Sequence, residues 1–380
     1  MSYMTEERQI IQQTAADFTN NVVIPTANKL DPEKGEIPAE LIAEMAALGF
    51  FGIKASEEFG GSGLGCFEYC LVAEELSRGW MSVASLIARS NTELFRAFDA
   101  DKCEDYSKRA IAGEFFTAVA LSEPNVGSDL SSISCRAELD NDEWVLNGNK
   151  YWCTFADRAN AILVFARTSD DKTNPYTGIS AFFVEKPSGE LPNGCTGHVI
   201  PKIGYFGWNT LELSFDNCRI PKECLIGEEG NGFLMMVSGL ETARAHTAAR
   251  AIGLAQGALD VAINYSKERE QFGRPIAKFQ DLRFKIARMA AEIEAARQLM
   301  YSVCTKIDTG ARCDKEASMV KWFATEMAER VTSDALQILG GAGYTTLFPV
   351  ERYWRDARLT KIFEGTSEIQ LKIISDRLLA

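Results

Sequence analysis

Residues 355–370 read RDARLTKIFEGTSEIQ, with Glu364 set between Phe363 and the pair Gly365-Thr366. A carboxylate in that setting has two readings. It could cap a surface helix, or it could be a proton acceptor held among apolar side chains and tuned by burial. Other proton chemistry has few carriers. The chain has only two histidines, His198 and His246, without clustered partners, which leaves no basis for a histidine metal site or a Ser-His-Asp triad. Its ten cysteines contain no CxxC. Cys66 and Cys70 lie one helical turn apart with no histidine nearby, so buried thiols in a reducing compartment are expected. If a proton is moved here, a carboxylate moves it.

Four further stretches bear on chemistry. In LSEPNVGSD (121–129), Pro124 and Gly127 make a turn, and Ser122 and Ser128 offer hydroxyls beside backbone amides. It reads as a plain turn or as a cradle for a polar heterocycle edge. In YWCT (151–154), strand alternation puts Trp152 and Thr154 on one face, either as core or as a wall for a flat ring. EREQFGRP (268–275) carries Arg269 and Phe272, suited to a charged helix end or to a diphosphate and an adenine. QILGGAGY (337–344) places glycines after a long helical run, as a stop or as backbone open to close approach. The glycine-rich EEFGGSGLG (57–65) has no following Lys-Ser/Thr and no preceding strand, so it reads as a loop between helices.

The elements that must position these residues change character twice. The first third is helical: Pro38 suits a helix start, Leu41, Met45 and Leu48 form one apolar face, and Gly49 suits the stop. From about residue 116 short runs alternate with turn signals. DND and NGN read as hairpins, and Leu211, Leu213 and Phe215 alternate with Glu212 and Ser214 as in a half-buried strand. After GEEGNGF (227–233) the helical period returns: Leu282, Ile286, Met289, Ile293 and Met300 recur at helical steps, and a second long helix runs from about 314 to 339. The expectation is an α+β chain with an N-terminal α-helical domain (1–118), a middle antiparallel β-domain (119–232) and a C-terminal helical bundle (233–380). With 46% apolar and 24% charged residues, and no apolar run near the roughly 20 residues that span a bilayer, a cytoplasmic protein is expected. The net charge of −13 argues against nucleic acid or an anionic membrane as main partner.

In this order and spacing, LSEPNVGSD, NGNKYWCT, EREQFGRP, QILGGAGY and RDARLTKIFEGTSEIQ resemble the acyl-CoA dehydrogenase family. So do LGFFGIKASEEFGGSG, DNCRIPKECLIGEEGNGF and ARAIGLAQGALDVA, which extends the resemblance over nearly the whole chain. The resemblance implies a helical–β–helical subunit that binds FAD, forms a homotetramer, and hands electrons to electron-transferring flavoprotein. It implies that Glu364 removes the α-proton of an acyl-CoA while the β-hydrogen leaves as hydride to flavin N5. Gly365 would keep the backbone open so that the thioester oxygen reaches the amide of residue 364. Burial between Ile362 and Phe363, with substrate bound, is expected to raise the Glu364 pKa toward the working range. The alternative position for a family base is here Ala243, which cannot serve.

Carried over residue by residue, the flavin ring would be held by Ser122, Trp152 and Thr154. The diphosphate and adenosine would be held by Arg269, Phe272, Gln280, Gln337 and Gly341, partly across a subunit interface, with Thr366 and Glu368 also on the cofactor side. Ser128, Glu241 and Arg244 would lie near the CoA moiety or the pocket mouth. Three residues depart from the pattern: Phe206 in KIGYFGWNT, where many members carry arginine and repacking with unchanged chemistry is expected; Arg89, on the helix lining the acyl pocket; and His246. An arginine in a closed pocket calls for an anion, so Arg89 implies a polar or acidic acyl tail if it faces the pocket, and a structural role if it does not. Beside short- or medium-chain acyl-CoA dehydrogenation stand a carrier-protein thioester substrate, an eliminating variant, and a non-catalytic flavin- or CoA-binding scaffold.

Overall fold

A computed structural model describes residues 3–170, 174 and 176–380. Six α-helices come first: α1 (Glu6–Phe18), α2 (Ile24–Leu30), α3 (Ala39–Ala47), α4 (Cys66–Gly79), α5 (Met81–Leu86) and α6 (Ala100–Ile111). Their ends follow from local chemistry. Thr5 caps α1 by accepting a hydrogen bond from Arg8 N at 3.2 Å, and α3 starts after Pro38. The start of α4 is capped from outside: the Asp308 carboxylate accepts from Cys66 N at 2.6 Å and from Phe67 N at 3.1 Å. In α3, Leu41 and Met45 are buried as the period predicts, but Leu48 falls on the exposed C-cap, because Gly49 at φ 75° turns the chain there.

The middle of the chain forms one eight-stranded sheet. Its strands are β1 (Thr117–Ala120), β2 (Arg136–Asp140), β3 (Glu143–Thr154), β4 (Ala161–Arg167), β5 (Ile179–Glu185), β6 (Cys195–Val199), β7 (Thr210–Pro221) and β8 (Leu225–Ile226). The order is β6-β7-β3-β2-β4-β5-β8, with β1 paired to β4. The β1–β4 pairing is parallel, so the sheet is mixed rather than wholly antiparallel. DND is a hairpin turn, with Asn141 at φ 58° between β2 and β3. NGN is not: it lies inside β3, where the register against β7 shifts between Leu146 and Gly148. Gly148 is there because of close packing, since a Cβ on it would stand 2.8 Å from Cys135 Cα.

The rest is helical: α7 (Gly232–Ser238), α8 (Leu240–Glu268), α9 (Gln280–Asp308), α10 (Asp314–Leu339), α11 (Val350–Thr360) and α12 (Ser367–Leu379). Helix α8 is the axis, alanine-rich and buried along most of its length. It crosses α4 closely because Gly253 and Gly257 lack side chains; a Cβ would lie 2.2 Å from Glu74 O at the first and 2.5 Å from Arg78 O at the second. All ten cysteines are unpaired, and nine are buried. Among the described residues no helix is long and apolar enough to cross a membrane.

Candidate active site

The turn between α11 and α12 is where the acidic residue sits. It adopts left-handed backbone angles at two successive residues, Glu364 (φ 55°) and Gly365 (φ 88°). A non-glycine residue in that region is costly and persists only where its surroundings hold it. Three contacts hold this one. Lys321, fully buried on α10, donates to Gly365 O at 2.6 Å; Gln370 Nε2 donates to the same oxygen at 3.1 Å; and Thr366 caps α12 by accepting from Ile369 N at 3.3 Å. Burial pushes the Lys321 amine down to about 8.

The turn is fixed to the sheet as well as to the bundle. Asp356 on α11 accepts from Tyr205 N at 2.6 Å, and the Phe363 ring meets Tyr205 edge-on at 6.0 Å. Tyr205 meets Trp208 at 5.1 Å, and Trp208 meets Phe155 at 5.7 Å. Phe155 directly follows Thr154, so an aromatic series runs from the acidic turn to the end of β3.

Glu364 opens, with its side chain 34% exposed, on a cavity of about 210 Å³. Ile87 and Ala88, Tyr69, and Ala243 and His246 contribute to the walls. Its environment is not the apolar pocket expected. Arg250 on α8, 2% exposed, donates from Nη2 to Glu364 Oε1 at 2.6 Å, and the Thr247 hydroxyl donates to Oε2. Ile362 is instead half exposed, and Phe363 lies under the Arg250 guanidinium, 4.8 Å from its carbon. Burial, the largest single influence, would raise the Glu364 carboxyl; the Arg250 charge and the hydrogen bonds from Thr247 and Arg250 act together against it and hold the group down at about 2. The expected upward shift is therefore absent in the free protein. Burial and the neighbouring Arg250 charge push the His246 imidazole down to about 3, so it is neutral; its ring lies 4.8 Å from Tyr69.

Arg89 does not line this cavity. It ends the helical turn after α5, with its guanidinium 5.6 Å from the Trp208 ring and its Nε without a hydrogen-bond partner. Glu241 and Arg244 share a different cleft, of about 650 Å³, at the start of α8. Arg244 is buried, with Nε unpartnered, while Glu241 accepts from Cys313 N at 3.2 Å. Ser128 is exposed on its loop and belongs to neither.

Arg269, Gln337 and Gly341 come together in a third cleft, of about 680 Å³, walled also by Tyr265 and Lys285. Arg269 has no acidic partner among the described residues, and a Cβ on Gly341 would meet nothing within 4 Å. A free guanidinium beside open backbone fits a diphosphate. Phe272 stands out from that cleft, 93% exposed, at the tip of the short hairpin after α8; Gln280 and Glu368 are exposed too. On the sheet, Trp152 is 57% exposed at φ 63°, next to Thr154, whose hydroxyl lies 3.2 Å from that of Thr210. A large aromatic face left open on a strained strand end fits a stacked flat ring. Ser122, half-buried, accepts from Tyr151 N at 2.7 Å, which ties its loop to β3. That loop is clamped by a pair that no sequence motif singles out: Glu123 accepts from Lys150 Nζ at 2.8 Å and from the amides of Ser134 and Cys135.

Arg250 likewise is not singled out by the stretch that contains it, ARAIGLAQGALDVA. Its only mark in the sequence is an arginine set among alanines, a pattern that solvent-facing and buried arginines share.

The C-terminal, N-terminal and middle domain models of acyl-CoA dehydrogenase match residues 230–379, 5–99 and 118–218. The chain is 41% identical to (2S)-methylsuccinyl-CoA dehydrogenase of Cereibacter sphaeroides, with 100% of this chain and 70% of that protein aligned. It is 39% identical to the human mitochondrial short-chain specific acyl-CoA dehydrogenase, with 99% and 91% aligned. The solved butyryl-CoA dehydrogenase from Megasphaera elsdenii shares 36% identity and a TM-score of 0.92, over 99% of each chain. The fold and these similarities agree: the chain belongs to the acyl-CoA dehydrogenase family, FAD-dependent oxidoreductases.

Proposed function

We propose that the protein removes two hydrogens from the α and β carbons of a short acyl-CoA, giving the 2-enoyl-CoA, with Glu364 as the base. The observation that carries this is Glu364 itself, an ionised carboxylate opening on a small cavity from a turn held in left-handed geometry. The other carboxylate on the cavity wall, Glu93, is paired with Lys54 at 2.6 Å, and Ala243 has no proton-accepting group. Glu364 takes the α-proton, and the electron pair of that C–H bond forms the new double bond as the β-hydrogen departs with its own pair. FAD, when bound, supplies the acceptor for that hydride. The Glu364 backbone N–H has no partner among the described residues. It is a donor for the thioester oxygen, whose negative charge grows as the α-proton leaves.

Arg269, Gln337 and Gly341 would hold the diphosphate and adenosine, and Trp152, Thr154 and Ser122 the flavin ring. Phe272, Gln280, Thr366 and Glu368 would complete cofactor sites across a homotetramer interface, and Glu241 and Arg244 would receive CoA. Electron-transferring flavoprotein is the proposed acceptor, and the cytoplasm the proposed location. The cavity volume favours a short acyl chain, and the short-chain specific and butyryl-CoA dehydrogenases among its relatives point the same way. A second reading of the tail, that it carries a carboxylate, is favoured by the 41% identical relative, named for methylsuccinyl-CoA.

The test is anaerobic loss of the oxidised flavin absorbance on adding acyl-CoA. Glu364→Gln should keep the flavin and bind acyl-CoA, yet reduce the flavin slower by at least about 10²- to 10⁴-fold, the usual cost of a lost general base. A variant retaining a tenth of the wild-type rate would assign the proton to another group.

A further inference from the structure

The carboxylate assigned as base is not free to act. Arg250 binds it at 2.6 Å, and spends its remaining contacts on neutral groups: Ser85 Oγ at 2.9 Å from Nη1 and Thr247 Oγ1 at 3.1 Å from Nη2. Its Nε is buried without a partner. Nearby, Arg89 has no carboxylate partner among the described residues, and its Nε is likewise buried and unpaired. The charges of both arginines reach the phenol of Tyr205, while His246 on the cavity wall is neutral. Of the two, Arg250 alone holds the carboxylate, and Arg89 has none among the described residues.

Turnover makes the imbalance worse. Once Glu364 has taken a proton its charge is gone, and Arg250 is left buried against two hydroxyls. A buried cation that loses its counter-ion is strongly unfavourable. Proton removal from a plain alkyl thioester is therefore opposed twice: the base is tied up beforehand, and its partner is stranded afterwards. A second carboxylate close to the reacting carbons removes both obstacles. It would displace Glu364 from Nη2 and engage the edge of Arg250 formed by that nitrogen and the unpartnered Nε, whose spacing matches the two oxygens of a carboxylate. Arg250 stands behind Glu364 and is not itself in the cavity wall, so the two anions must exchange there. Glu364 would then be released toward the α-carbon.

We propose that Arg250 is a specificity-determining residue that receives a carboxylate carried by the acyl chain one or two carbons beyond the β-carbon or directly on it, so that the preferred substrate is a short dicarboxylic acid monothioester of CoA. This rests on the dehydrogenase reading above, and places the anion receptor on α8 rather than at Arg89.

The experiment compares succinyl-CoA, glutaryl-CoA and butyryl-CoA as flavin reductants in anaerobic single turnover. It uses wild type, Arg250→Gln and Arg250→Lys. A second readout is calorimetric binding of redox-inactive thioether analogues of the same chains. Wild type should reduce its flavin with one of the dicarboxylic thioesters at least about tenfold faster than with butyryl-CoA, the scale of one charge-assisted contact. Arg250→Gln should collapse that ratio and weaken the carboxylated analogue about tenfold or more relative to the butyryl analogue, with Arg250→Lys between the two. The wild-type comparison depends on no variant folding. If wild type prefers butyryl-CoA, or if the ratio is the same in Arg250→Gln, the proposal falls while the dehydrogenase reading stands. If no acyl thioester reduces the flavin of wild type, the dehydrogenase reading falls and takes the proposal with it.

Discussion

Glu364 and His246 face the same cavity with opposite histories of charge. Glu364 is held ionised by Arg250; His246 is held neutral by burial beside that same guanidinium. The imidazole has a consequence for stability. Its folded pKa of about 3 lies below the unfolded value of about 6.5, so between those pH values the unfolded chain binds the extra proton. Stability therefore falls on acidification through that window, by up to about 1.4 kcal/mol per pH unit from this one group. Glu364 adds nothing there until the pH drops below its unfolded value, since its folded pKa is about 2. Asp356, pushed up to about 7 by burial and the nearby Asp31, acts in the opposite direction. Urea denaturation of wild type against His246→Gln isolates the effect: the advantage of wild type should shrink as pH falls from 7 to 5, and a constant difference would mean that folding leaves the imidazole's proton affinity unchanged. Glu364 was legible because the motif around it is long and its neighbours are unusual for a plain helix. Arg250 was not, because an arginine in a run of alanines looks the same in sequence whether it faces solvent or a buried carboxylate.

Elements carry the site by a few exact fits between buried groups. Lys150 on β3 is fully buried, and its ammonium is matched to Glu123 at the start of the 121–129 loop. Replacing it by methionine leaves a buried carboxylate without its cation, and Lys150→Met should cost about 3–5 kcal/mol in thermal or urea unfolding. Adding Glu123→Gln should restore a large part of that, because the uncompensated charge is then gone. Equal losses in the single and double variants would mean that the loop is held by its backbone amides instead. The long helices were legible from apolar period and end signals, and α10 spans the residues expected of it, from Asp314 to the stop at Gly340. NGN was misread because asparagine and glycine mark any left-handed or unpaired backbone, and a bulge inside a strand needs them as much as a hairpin does. The parallel pairing of β1 with β4 left no trace in local pattern, since partner choice is decided by how the sheet closes over the helices.

On the scale of the whole molecule, Phe272 at 93% exposure, with Tyr344 and Leu347 each at 84%, are large apolar groups that a single chain leaves in water. If the homotetramer proposed above forms, Phe272→Glu should lower the mass measured by light scattering and speed FAD loss on dilution; unchanged mass and retention would place these side chains outside any interface. The last consequence comes from the Asp356–Tyr205 bond. Because Asp356 holds a backbone amide of the sheet's preceding loop, and Phe363 packs on the same tyrosine, the turn bearing Glu364 cannot loosen by itself. Any excursion that frees it must also part the sheet from the bundle. The Tyr205 amide should then exchange its hydrogen with the same opening free energy as the amides of Ile362 and Phe363. If the acidic turn and the sheet open as one unit in that measurement, residues 361–366 transplanted onto a helical scaffold without that loop should carry the acid but lose its geometry.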